Sequence, residues 1–118
     1  MNSQKLLDLA GQLVLSKKAE YVQAIDVRKL TSITDYFMIC SADTDIQVKA
    51  IADAVRKGTP HKPWKIEGYE HRYWILLDYV DVVIHIFRTS EREYYSLEKL
   101  WADAPNWRIT DELESTSV

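Results

Sequence analysis

Three short apolar stretches constrain this chain most. Asp35-Tyr36-Phe37-Met38-Ile39-Cys40 is nearly continuous in apolar residues, and so are Tyr73–Asp78 and Val82–Phe87. None approaches the roughly 18 apolar residues of a membrane span. Short runs rich in β-branched and aromatic residues read as strands, and lost alternation marks a strand covered on both faces. The run at 35–40 therefore predicts a central strand. The strand Trp74–Leu77 is apolar at every position, so neither of its faces is plainly polar. Either both faces are covered within the domain, or an apolar strip stays open as a contact surface.

Helices flank these strands. Leu6, Leu9, Ala10, Leu13 and Val14 recur at helical spacing and predict a helix over 3–18, with Leu7 and Leu15 widening its apolar face. Tyr21–Val27 is rich in β-formers and predicts a strand, and Arg28–Ile33 is a polar connection. Thr44 and Gln47 have capping-box spacing ahead of the stripe Val48, Ile51, Ala52 and Val55, and Gly58, Pro60 and Pro63 end that helix. Trp64–Glu67 alternates like a half-buried strand. The short link Tyr79-Val80-Asp81 favours an antiparallel hairpin. Ser90 and Glu93 form a second capping box, opening a helix with Tyr94, Leu97, Leu100 and Trp101. The expectation is a mixed α/β fold, a five-stranded mixed sheet with three helices in the order αββαβββα. Residues 1–108 are expected to form one domain and 109–118 a flexible acidic tail.

Composition narrows function. The net charge is −3, whereas nucleic-acid binders carry a basic excess for phosphate contacts. Direct DNA binding is not expected, and a basic protein partner suits the charge better. Cys40 is the only cysteine, so no intrachain disulfide forms. Met1–Lys5 is polar and lacks an apolar signal core, so a cytoplasmic, non-membrane location is expected.

Little points to catalysis. Asp43 and Asp45 have a spacing that suits Mg²⁺, but no Gly-rich phosphate loop precedes them, and capping the second helix is the simpler role. Asp78 and Asp81 flank a hairpin, where carboxylates are routine. His61, His71 and His85 lack metal-ligand spacing, so neither metal nor cofactor is expected. Cys40 and His85 both fall on strands and could pair as nucleophile and base, although Cys40 reads first as a packed apolar side chain. His85 interrupts an apolar strand, as a core residue or as a polar handle at an interface. Arg28-Lys29, Arg56-Lys57 and His61-Lys62 are basic pairs spread along the chain and make no stripe. Tyr94, Tyr95 and Trp101 fit either core or interface anchors.

Six segments, in order, resemble the ribosomal silencing factor family, also called the RsfS or Iojap family. They are Thr34–Ile39, Gln47–Asp53, Glu67-Gly68, Trp74–Tyr79, Asp81–Phe87 and Arg92–Trp101. The resemblance implies a nucleotidyltransferase-like fold without catalytic equipment. It also implies binding to the large ribosomal subunit through that subunit's protein fourteen, blocking small-subunit joining and repressing translation. Members of the family can form homodimers when free. Ala42 and Val80 stand where the family's pattern has glycine, which implies altered turns.

For a chain of this kind, the Trp74–Phe87 hairpin region is expected to supply the contact. Trp74, Leu76 and Asp78 share a strand face by alternation, Tyr79 lies at the turn, and His85 is the polar residue of the partner strand.

Overall fold

Alternation within the apolar runs decides which way each strand faces, and the computed structural model, which describes residues 2–111, makes that explicit. The elements are α1 (Ser3–Ser16), β1 (Glu20–Asp26), β2 (Tyr36–Ala42), α2 (Asp45–Gly58), β3 (Lys65–Glu67), β4 (Trp74–Asp78) and β5 (Val82–Arg88). They are followed by α3 (Thr89–Tyr95), α4 (Leu97–Leu100) and β6 (Asn106–Arg108). The strands form one sheet in the order β3-β4-β5-β2-β1-β6. Among the described residues only the central pair β2/β5 is parallel, so the sheet is mixed as expected.

Two boundaries follow from side chains that satisfy free amides. Asn2 accepts from the Lys5 N–H at 2.8 Å and starts α1, and Thr44 accepts from the Gln47 N–H at 3.2 Å and starts α2. Gln47 does not close the box: its amide reaches the carbonyls of Lys17 and Lys18, tying α2 to the end of α1.

Three expectations need correction. The sheet has six strands, not five. β6 is a three-residue edge strand against β1, exposed throughout and therefore without the alternation that marks a half-buried strand. The third helix is two short ones, broken at Ser96, whose φ is +49°. In a continuous helix, residues six apart point about 120° away from each other around the axis. The break lets both Tyr95 and Trp101 reach the sheet, at 5.1 Å from Trp74 and 5.1 Å from Phe37. Ser90 caps nothing, because β5 runs straight into α3 and Ser90 donates instead to Glu91. Glu91 holds Arg88 in a two-pronged ion pair at that first turn.

The helices α1 and α2 cover one face. Their stripes pack on Ala24, Met38, Cys40, Ile75, Leu77, Ile84 and Ile86 in the main core. The opposite face carries a smaller cluster, Ile25, Val27, Ile39, Phe87 and Ala104, with Leu97 and Trp101 over part of it. At Ala42 the chain stays extended and buried, without the left-handed backbone a glycine would serve. Ile109, expected in the tail, donates to the Val22 carbonyl at 2.8 Å and packs beside the main core. Residues 112–118 of that tail lie outside the described residues.

Candidate partner-binding face

The less covered face can be written as rows, because paired residues in neighbouring strands share a side. One row runs Glu67, Leu76, His85, Ile39, Gln23, Arg108, and the next runs Lys65, Asp78, Val83, Phe37, Ile25, Asn106. Trp74 sits opposite Phe87 in a third. The chain from α3 to Ala104 lies over Phe87, Ile39 and Ile25. Trp74, Leu76 and Asp78 are left half-buried at the β3–β4 side. The question of coverage is thus settled asymmetrically: one face is closed and the other is half open.

Aromatic packing stiffens this open part. The Trp74 ring stacks on Phe87 at 4.7 Å, and Phe37 meets His85 edge-on at 5.2 Å. His85 is 5% exposed, and burial pushes its imidazole down to about 4. Its Nδ1 accepts from the Trp74 indole at 3.1 Å, which leaves the proton on Nε2, a buried atom with no partner among the described residues. His85 is therefore a neutral polar residue beneath an apolar surface.

The five residues singled out in the sequence do not stay together. Trp74, Leu76, Asp78 and His85 share the open face, with His85 under its surface. Tyr79 goes to the helix-covered side. It is 4% exposed, its hydroxyl is 2.9 Å from Thr59 Oγ1, and burial raises its pKa. Asp78 Oδ1 accepts from the Val80 N–H at 2.8 Å and shapes the hairpin turn.

Three residues of the open surface escaped the sequence reading. Trp64 (74% exposed), Ile33 (82%) and Val80 (52%) meet Asp78 and Val83 around a shallow hollow of about 110 Å³. Ile33 and Val80 come from a loop and a turn, where no periodicity flags them, and Trp64, expected to open a half-buried strand, lies just before β3, which starts at Lys65. The only available signal was a large apolar residue in a short connection.

The candidate chemistry resolves differently. Cys40 is wholly buried in the main core, with its thiol pushed up to about 12, and it lies on the opposite face from His85, so the two cannot act as nucleophile and base. Asp43 accepts from the Thr89 hydroxyl at 2.9 Å. Among the described residues no three His, Cys, Asp or Glu side chains are grouped to hold a metal, and no helix is long and apolar enough to cross a membrane.

Comparison with known proteins gives this face its context. Residues 1–117 match the family model described as ribosomal silencing factor during starvation. The chain belongs to the ribosomal silencing factor family. It is 45% identical over 108 residues to ribosomal silencing factor RsfS of Halalkalibacterium halodurans, covering 89% of this chain and 92% of that one. The Bacillus subtilis protein of the same name is 40% identical over the same shares. A crystal structure of a Chromobacterium violaceum protein superposes with a TM-score of 0.83 at 31% identity, covering 86% of this chain and 88% of the other. A silencing factor regulates translation at the ribosome, so the feature to explain is a docking surface.

Proposed function

We propose that this ribosomal silencing factor acts by occupancy. It docks on the large ribosomal subunit through that subunit's protein fourteen and keeps the small subunit from joining. The observation that carries this reading is the half-open sheet face. There Trp74, Leu76 and Trp64 offer apolar surface, with Asp78 and Glu67 at its rim. Aromatic anchors of this kind dominate binding energy at interfaces. An ordinary interface needs about 800 Å² per partner, and blocking a joining surface needs no turnover. The net charge of −3 steers the chain towards a basic ribosomal protein.

In this reading the fold is a nucleotidyltransferase-like one put to binding, with Asp43 and Thr44 engaged in hydrogen bonds at the start of α2. The protein works in the cytoplasm as one domain over residues 1–108. A second copy covers the same apolar face when the ribosome is absent, giving a homodimer.

The test is a subunit-joining assay on sucrose gradients with purified subunits. The wild-type chain is expected to leave the subunits apart, and Leu76→Glu with Asp78→Lys to lose both binding and blockade while staying folded. A double variant that still binds fully would move the interface elsewhere. Binding without any effect on joining would favour an assembly adaptor. Heat released with Mg²⁺ and nucleoside triphosphates would favour an enzyme.

A further inference from the structure

We infer that a second surface, on the helix-covered side, contacts the phosphate backbone of RNA. This rests on the ribosome-binding reading above and adds a class of partner to it. Arg56-Lys57 ends α2 and His61-Lys62 lies in the loop beyond, so in sequence the pairs look unrelated. The fold gathers them. Asp53, Arg56, Lys57, Lys62 and Tyr69 line one hollow of about 420 Å³.

Tyr69 organises it. Its hydroxyl donates to Asp53 Oδ1 at 2.7 Å. The Lys49 ammonium and the Arg56 guanidinium lie 5.5 and 5.3 Å from its ring centroid, within cation–π range. Asp53 also pairs with Lys49 at 2.7 Å and with Arg56 at 3.8 Å. One carboxylate and one ring thus hold two cations in place. Lys57 and Lys62 have no ion-pair partner among the described residues. Four cations against one carboxylate make a local positive surface on a chain whose net charge is −3.

Cations at a helix C-terminus also complement the helix dipole. That accounts for Arg56 and Lys57, but not for Lys62 beyond the helix or for Lys49 two turns before its end. A concave basic hollow with an aromatic floor suits a ridge of phosphates, whereas an apolar protein segment would find only Tyr69 to pack on. Tyr69 follows β3, an edge strand of the sheet, so the hollow lies beside that edge rather than under the middle of the sheet.

The experiment is the salt dependence of the binding of this 118-residue chain to purified large subunits. It compares wild type, Lys57→Gln with Lys62→Gln, and a control with Lys29→Gln and Lys99→Gln, each checked for folding by circular dichroism. Each lost phosphate contact makes the slope of log K against log salt shallower by about 0.7 to 0.9. The hollow variant is expected to be shallower by about 1.5 and several-fold weaker at low salt, with the control unchanged. A hollow variant with wild-type slope and affinity overturns the inference. The same slope change on isolated protein fourteen, without RNA, also overturns it by assigning the hollow to a protein contact. A wild-type chain that fails to bind large subunits defeats the underlying reading itself, and the inference with it.

Discussion

The indole N–H of Trp74 donates to Nδ1 of His85 across 3.1 Å, linking the half-open surface of β4 to a residue buried in β5. That bond needs a neutral imidazole, and burial supplies one by holding the pKa near 4. An unfolded histidine titrates near 6.5.

The sign of the resulting pH dependence follows. The native pKa is depressed, so His85 contributes full stability above about pH 6.5, and that stability is lost as pH falls towards 4. Between pH 8 and pH 5 the loss is about 2 kcal/mol on these values. Urea midpoints of the wild-type chain should fall over that range, and those of His85→Leu should fall less by this amount. Parallel curves for the two proteins would mean that His85 protonates freely in the folded state.

Trp64 gives a contrasting expectation, because its exposure separates binding from stability. At 74% exposed it makes little core contact. Trp64→Ala should change unfolding stability by less than about 0.5 kcal/mol. If the hairpin end belongs to the docking surface, the same variant should weaken large-subunit binding by about tenfold or more, as loss of an aromatic anchor does. Unchanged binding would remove this end of the sheet from the interface.

The contrast between Leu76 and Trp64 shows what the sequence could convey. Leu76 lies in a strand, so alternation alone placed it beside Trp74 and Asp78, and pairing then added His85 from β5. The start of α2 was equally legible, since Thr44 caps it through local contacts. Tyr79 was grouped with the binding residues for its place at the turn, yet alternation continued past Asp78 puts it with Ile75 and Leu77 on the helix-covered face, where its hydroxyl meets Thr59. β6 was missed because it pairs with β1 while burying too little to show a pattern. The break at Ser96 depends on where Trp74 and Phe37 sit in the sheet, and the hollow beside Tyr69 depends on how α2 packs. Neither is a local property of the chain.

Gly68 is where the backbone leaves no room. Its φ is +75°, and a Cβ there would collide with the Trp74 carbonyl oxygen. A side chain in the left-handed region already costs about 1–2 kcal/mol, and the obstacle is strand backbone rather than a movable side chain. Gly68→Ala should therefore destabilise the fold by more than about 2 kcal/mol in urea unfolding. It should also weaken large-subunit binding, because relief of the clash moves Trp74. A variant as stable as wild type would show that the β3–β4 connection has another low-energy conformation.

Val80 presents the opposite case, a strained position that already carries a branched side chain. The Asp81 N–H donates to the Tyr79 carbonyl at 3.0 Å, closing a three-residue turn with Val80 at its centre and a φ of +74°. Such turns are rare and strained, and β-branched residues fit positive φ worst. Glycine removes the strain but enlarges the conformational freedom of the unfolded chain, which offsets part of the gain. Val80→Gly is expected to raise unfolding stability by about 0.5–1 kcal/mol net. The Val80 side chain is half-exposed beside Trp64 in the candidate docking surface, so large-subunit affinity should fall as stability rises. Opposed changes would mean that the turn keeps valine for its contact. A stability gain with unchanged affinity would leave the strain without a role in docking.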